Sequence, residues 1–159
     1  MYGNNGCTGG IMDYGFEYII DNGITSDAIY PYKAKQGICQ AGLSSNIAAQ
    51  ITNYYDLPSN NQANMLQVVA NQPLSVAVEA NQAAWQFYQG GILTGNCGND
   101  LDHGVLIVGY NLSTNPNYWI VKNSWGPDWG ESGYIRILIK GGTGVCGINM
   151  EASYPVISS

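Results

Sequence analysis

At 159 residues and 45% hydrophobic content, the chain can bury one ordinary core, and its composition argues against disorder. Only 10% of residues are charged, while glycine (21) and tyrosine (12) are plentiful, a profile that suits a loop-rich, extracellular-style β protein. The net charge is −6 with five Lys and Arg in all, so no basic stripe exists to neutralise nucleic-acid phosphates or to hold the chain on an acidic membrane. No apolar run approaches the roughly 18–20 residues that span a bilayer. The opening Met1 to Cys7 has neither a basic patch nor an apolar centre, so it is not read as a signal peptide.

In chain order, Gly9-Gly10 precedes a helical pattern from Ile11 to about Ile20. Met12, Phe16, Ile19 and Ile20 share one face, and Asn22-Gly23 supplies the stop. Ser26 to Gln40 has no period and contains Tyr30-Pro31-Tyr32, which predicts an extended loop pinned by Cys39. Ile47 to Tyr55 is a weak strand. Pro58 and Ser59 open a second helix of about ten residues, with Ala63, Leu66, Val69 and Ala70 inward, ended by Asn71-Gln72-Pro73. Leu74 to Ala80 alternates Leu74, Val76 and Val78 against Ser75, Ala77 and Glu79, the pattern of a half-buried strand.

Trp85, Phe87 and Tyr88 form an aromatic cluster before the Gly90-Gly91 turn. Val105 to Val108 is apolar throughout and predicts a strand covered on both faces; Tyr118 to Lys122 predicts another. Gly133 to Lys140 alternates, with Ile135, Ile137 and Ile139 on one face. Helices come first and strands later, which predicts an α+β protein whose second part is a mostly antiparallel sheet or barrel.

His103 is the chain's single histidine and stands at the mouth of one strand-like run; Asn123 and Trp125 end the next. If the two strands are neighbours, an amide oxygen can accept a proton from one ring nitrogen and leave the other to activate a nucleophile. Four cysteines, Cys7, Cys39, Cys97 and Cys146, form no C-x-x-C pair, and one histidine completes no common zinc set, so no metal site and no cofactor are expected. Disulfides are the leading reading, and they imply an oxidising route, extracellular or through a lysosome- or vacuole-like compartment. Four cysteines allow three pairings, and spacing does not choose among them. Asn111-Leu112-Ser113 matches the acceptor pattern for N-linked glycosylation in a predicted loop.

Five stretches in register then carry a family resemblance. Cys7-Thr8-Gly9-Gly10, Asn99-Asp100-Leu101-Asp102-His103-Gly104-Val105 and Tyr118-Trp119-Ile120-Val121-Lys122-Asn123-Ser124-Trp125-Gly126 resemble successive signatures of the papain-like cysteine proteases. Trp129-Gly130-Glu131-Ser132-Gly133-Tyr134-Ile135-Arg136 and Gly144-Val145-Cys146-Gly147-Ile148 continue the likeness, which runs from about Tyr2 to Pro155. It implies the remnant of a helical domain over 1–55 and an antiparallel β-barrel domain with a C-terminal arm over 56–159.

The resemblance also implies that His103 is general base and acid, that Asn123 orients its ring, and that the Trp125 indole shields their hydrogen bond from water. It pairs Cys97 with Cys146. Gly9 and Gly10 resemble cleft-wall glycines, and Asp102 a position whose carbonyl receives a substrate N–H. Trp129 is carried over as a further substrate contact. A pocket for the side chain preceding the scissile residue would be lined by Ile11, Met12, Ala77, Leu101, Gly104 and Glu151, largely apolar, with Glu151 able to admit an arginine.

The family's nucleophile signature, C-G-[SA]-C-[WY], does not occur in the sequence. Cys7 lies too close to His103 in sequence and matches the family's disulfide cysteine. The oxyanion glutamine, which the family places upstream of its nucleophile, is not matched either. The expectation is the C-terminal part of a papain-like cysteine peptidase, inactive alone, with Cys7 and Cys39 lacking their family partners. Expected partners are a peptide or protein substrate, the missing N-terminal segment of the same enzyme and cystatin-like inhibitors. A non-catalytic homologue that binds peptides or inhibitor proteins is the alternative.

Overall fold

The computed structural model describes residues 2–157. The chain forms two compact units: one reaches to Tyr55 and takes the chain back from Pro155, and the other comprises Asp56–Tyr154.

The first unit opens with a 3-10 turn at Gly6–Thr8 and helix α1, Met12–Asn22. Gly23 ends α1 at φ 71°, its N–H returning to the Ile19 carbonyl, as the Asn-Gly signal predicts. A short helix, α2, spans Ala41–Ser44, and strand β1, Asn53–Asp56, runs across the unit boundary. The predicted strand from Ile47 shrinks to β1 and one isolated bridge between Ile24 and Ala49. Phe16 packs on Tyr54 with ring centroids 5.7 Å apart. Among the described residues of this unit only Gly23 and Ile51 are buried, so α1 buries no side chain completely.

The segment from Ser26 to Gln40 has no helix or strand, as expected, but Cys39 does not pin it. Both Cys7 and Cys39 are free thiols at the surface. Polar contacts shape the loop instead: the Tyr32 N–H donates to the Asp27 carboxylate (2.9 Å), and the Gln40 N–H to the Tyr30 hydroxyl (3.1 Å).

The second unit holds helix α3, Gln62–Val69, strand β2, Leu74–Val78, the short helix α4, Ala83–Gln86, and strand β3, Ile92–Leu93. Strands β4, His103–Asn111, β5, Tyr118–Lys122, and β6, Tyr134–Leu138, follow. A 3-10 turn at Val145–Gly147 and strand β7, Ala152–Val156, complete the order. Asn61 caps α3 by accepting from the Asn64 N–H, so the helix begins three residues after the Pro58-Ser59 signal. Its buried side chains are Met65 and Val69, whereas Ala63 and Ala70 are exposed; the inward face is rotated from the predicted one, because the long Met65 side chain fills the core that a small alanine cannot.

The strand order is β1-β7-β2-β4-β5-β6-β3, with β1 and β7 each crossing the unit boundary. This is a linear order rather than a ring, and β3 pairs with β6 in parallel, so the predicted barrel is an open, mostly antiparallel sheet. In β2 Ala77 is buried along with Leu74, Val76 and Val78, and so is Glu79 just after it, where alternation predicts a half-buried strand; only Ser75 is half-buried. β4 is longer than expected, and Val108 beside its bulge is 38% exposed rather than covered. Phe87 leaves the aromatic cluster at 78% exposure, while Trp85 and Tyr88 are buried.

One core joins Leu74, Val76 and Val78 of β2 to Ile107, Trp119, Val121, Ile135 and Ile137 of the central strands, under Met65 and Trp85. The pairing that matters most is Leu106 with Lys122, because it puts the start of β4 and the end of β5 at one end of the sheet.

Candidate active site

That end of the sheet carries the histidine and the carboxamide. His103 is the first residue of β4 and pairs with Val78 of β2; Asn123 follows the last residue of β5. Their side chains meet, His103 Nε2 lying 2.8 Å from Asn123 Oδ1. The Ser124 backbone N–H, which can only donate, also points at Asn123 Oδ1 from 2.8 Å. The atom facing the imidazole is therefore an acceptor, which places the ring proton on Nε2 and leaves Nδ1 of the neutral ring basic. Asn123 is 7% exposed and its own N–H donates to the Gly133 carbonyl (2.9 Å), so the orienting group is held by backbone on two sides.

Aromatic rings enclose this pair. Trp125 lies over the imidazole with centroids 5.1 Å apart and planes 31° from parallel; it is 38% exposed and forms the outer wall. Trp85, fully buried, meets His103 edge-on at 6.5 Å. Trp129 stands behind both, edge-to-face with Trp125 (5.3 Å) and stacked on Trp85 (6.0 Å). Excluding water here strengthens the His103–Asn123 hydrogen bond and resists rotation of the ring.

A glycine secures the loop that carries Trp129. Gly130 sits at φ 58°, and a Cβ there would lie 2.6 Å from the Tyr134 carbonyl oxygen, so a larger residue would push the loop off β6. Next to it, Glu131 accepts from Arg136 Nε (2.8 Å), pairs with its Nη2, and accepts from the Gly91 N–H (3.1 Å). The Arg136 guanidinium holds the Glu131 carboxyl below its ordinary range and is itself raised by that bond. A depressed carboxyl stabilises the fold above its ordinary pKa of about 4.3, and that contribution is lost as pH falls through the lower folded-state value. Glu131→Gln should therefore reduce the stability lost between pH 7 and pH 3 relative to the unmodified chain. Both side chains are about one-third exposed, so the difference should be on the order of 1 kcal/mol or less. Parallel urea melts at the two pH values measure it, and equal losses in both proteins would refute it.

The segment leading into His103 is clamped from β2 and the residues after it. The buried Glu79 carboxylate accepts from the Asp100 N–H (2.9 Å) and from Gln82 Nε2 (2.6 Å), and the Asp102 carboxylate accepts in return from the Ala80 N–H (2.7 Å). The Asp102 N–H donates to the Val78 carbonyl (3.0 Å). A disulfide joins Cys97 to Cys146, and the Cys146 carbonyl accepts from the Glu79 N–H (2.8 Å). Sequence reading puts Glu79 on the outer face of an alternating strand, and takes Trp85 as part of an aromatic cluster with Phe87 and Tyr88 without a place beside His103. A charged residue inside an otherwise apolar run, and a tryptophan before a Gly-Gly turn, were the available signals.

The remaining predicted residues fall into two sets. In the second unit, Ala77 pairs with Gly104 and donates its N–H to the Glu151 carbonyl (3.1 Å), so these three adjoin. Leu101 lies against Gly147, where a Cβ would come within 2.6 Å of its Cδ2. The Glu151 side chain is exposed. In the first unit, Gly9 and Gly10 lead into Ile11, the cap of α1, whose N–H donates to Asn4 Oδ1 (2.8 Å), and Met12 begins the helix.

Known proteins match this chain over nearly its whole length. Residues 1–156 match the family described as papain family cysteine protease. A thiol protease of Hemerocallis, SEN102, is 52% identical over 159 residues, which is 98% of this chain and 44% of that protein. Vignain of Ricinus communis is 50% identical over 160 residues, 98% of this chain and again 44% of that protein. The chain thus spans less than half the length of these curated relatives. The structure of bromelain from Ananas comosus in complex with the E64 inhibitor superposes with a TM-score of 0.91 at 45% identity, covering 98% of this chain and 73% of that one. Together with the geometry at the end of β4 and β5, these matches show that the chain belongs to the papain family of cysteine proteases.

Proposed function

We propose that this chain supplies the base and the orienting amide of a cysteine-peptidase site, and that the nucleophile is not among its four cysteines. The observation that carries the reading is the His103–Asn123 hydrogen bond with its direction set by the Ser124 N–H. In the proposed cycle, His103 Nδ1 takes the thiol proton of a cysteine and stabilises the thiolate as an ion pair. The thiolate attacks a peptide carbonyl, and the protonated ring returns that proton to the leaving amine. His103 then removes a proton from the water that hydrolyses the thioester. Asn123 keeps Nδ1 aimed at the reacting atoms throughout.

The exclusion of the four cysteines rests on their states and contexts. Cys97 and Cys146 are joined to each other, and neither Cys7 nor Cys39 lies in the C-G-[SA]-C-[WY] context of the family nucleophile. The first unit also exposes Ile24, Tyr32, Ile38 and Ile47 and buries almost nothing. An apolar surface of that kind suits cover by a further segment of a papain-family domain. Gly9, Gly10, Ile11 and Met12 on the first unit, and Ala77, Leu101, Asp102, Gly104, Glu151 and Trp129 on the second, are proposed substrate contacts. The Cys97–Cys146 disulfide supports an extracellular or vacuole-like location. The bromelain complex with E64 supports inhibitor binding at the completed site.

The test is to assay the chain alone, and the chain joined to a papain-family segment bearing the Cys-Gly-Ser-Cys-Trp sequence and its upstream glutamine, against a fluorogenic peptide amide. No turnover by the chain alone and E64-sensitive turnover after completion is the expected result. Hydrolysis by the chain alone would overturn the assignment of the nucleophile. Failure of a folded, completed protein would leave the non-catalytic, peptide-binding reading in its place.

A further inference from the structure

The proposed peptidase chemistry makes no use of the one Asn-X-Ser/Thr triplet in the chain, Asn111-Leu112-Ser113. β4 ends at Asn111, and residues 112–117 form the connection to β5 without helix or strand. Leu112, Ser113 and Thr114 are exposed, and Asn111 is half-buried beside Tyr118, its partner across the hairpin. The Asn111 carboxamide is engaged at both ends: Oδ1 accepts from the Ser113 N–H (2.8 Å), and Nδ2 donates to the Tyr118 hydroxyl (3.2 Å).

Both bonds suit a substituted amide. The first is an Asx-turn that folds the triplet back on itself, bringing Ser113 beside the Asn111 carboxamide. The second uses one of two Nδ2 hydrogens, and a secondary amide keeps one. Position matters as much as exposure. Asn111 lies eight residues along β4 from His103, roughly 25 Å at ~3.3 Å per residue. A bulky, solvated group on Asn111 would project from the opposite end of the strand and leave the His103–Asn123 end open.

We propose that Asn111 is a site of N-linked glycosylation. Its Nδ2 attacks the anomeric carbon of an oligosaccharide carried on a lipid pyrophosphate. The new C–N bond replaces the sugar's C–O bond to pyrophosphate, the amide gives up one proton, and the lipid pyrophosphate leaves with the bonding electron pair. The transfer needs passage through the same kind of oxidising, membrane-enclosed route that the Cys97–Cys146 disulfide implies. It does not depend on the peptidase reading.

The full chain is to be directed into the secretory pathway of a eukaryotic cell and compared with Asn111→Gln, Ser113→Ala and Ser113→Thr. The unmodified sequence and Ser113→Thr should migrate as larger species that collapse on treatment with a peptide-N-glycosidase. The same treatment should convert the Asn111 amide to a carboxylate, read by peptide mass spectrometry on chains whose Cys97–Cys146 disulfide has formed. Asn111→Gln and Ser113→Ala should lose the larger species entirely. An unmodified Asn111 in the secreted chain overturns the proposal, and so does a shift that survives Asn111→Gln. Glycan found only on chains lacking the disulfide would overturn it as well.

Discussion

Replacing His103 by alanine in the completed protein should lower kcat/KM by about 10³-fold or more, because in the proposed cycle the same ring accepts, holds and returns a proton in both halves of the reaction. Asn123→Ala should cost less, about 10²-fold, since the base remains but its ring is free to turn from the productive geometry. The two changes should also differ in kind. Without His103 the thiol loses its proton acceptor, so the residual rate should rise with pH as the free thiol ionises near its ordinary value of about 8.5. Without Asn123 the ion pair can still form, and the loss should fall on kcat with the pH profile largely kept. Michaelis–Menten parameters across pH 4–9, with melts to confirm folding, check this. Equal losses from both variants with superimposable pH profiles would contradict the separate roles.

Removing the Cys97–Cys146 link by the double change Cys97→Ala/Cys146→Ala should destabilise the second unit by up to about 4 kcal/mol. The two residues are 49 apart, and closing a loop of that length removes about this much freedom from the unfolded chain. The loop contains β4, β5 and β6, hence His103, Asn123, Trp125 and Trp129. The Glu79 N–H bond to the Cys146 carbonyl and the Glu79 carboxylate bond to the Asp100 N–H join this link to the segment before His103. Loosening should therefore reach the His103–Asn123 end of the sheet before it reaches the Asn111 end. Urea unfolding at neutral pH gives the stability change, and hydrogen exchange at Asp102 against Tyr110 gives its distribution. A loss below about 1 kcal/mol would mean that the unfolded chain is already compact around this loop.

Much of the second unit is legible in the sequence because its strands are short, apolar and bounded by polar turns. Tyr118 to Lys122 is predicted and found with the same limits, and the isoleucines of β6 point inward as their alternation requires. Strands of two residues, such as Ile92–Leu93, carry too little pattern to be seen, and their existence depends on a partner strand far away in sequence. The α3 face is misread for a related reason. Ala63 and Met65 both belong to an apolar helix, and only the space left by the neighbouring strands decides that methionine goes inside.

The sequence by itself determines which chemistry is available: one histidine, an asparagine and a tryptophan in family context, four cysteines outside any metal pattern, and no nucleophile signature. Local rules also determine where α1 ends and where the central strands run. Tertiary structure alone decides that His103 and Asn123 touch, which nitrogen of the ring carries the proton, and that Glu79 is a buried clamp rather than a surface charge. These depend on register between strands some twenty residues apart and on one backbone N–H, that of Ser124. Residue identity sets what a side chain can donate or accept, and only the folded chain sets what it faces.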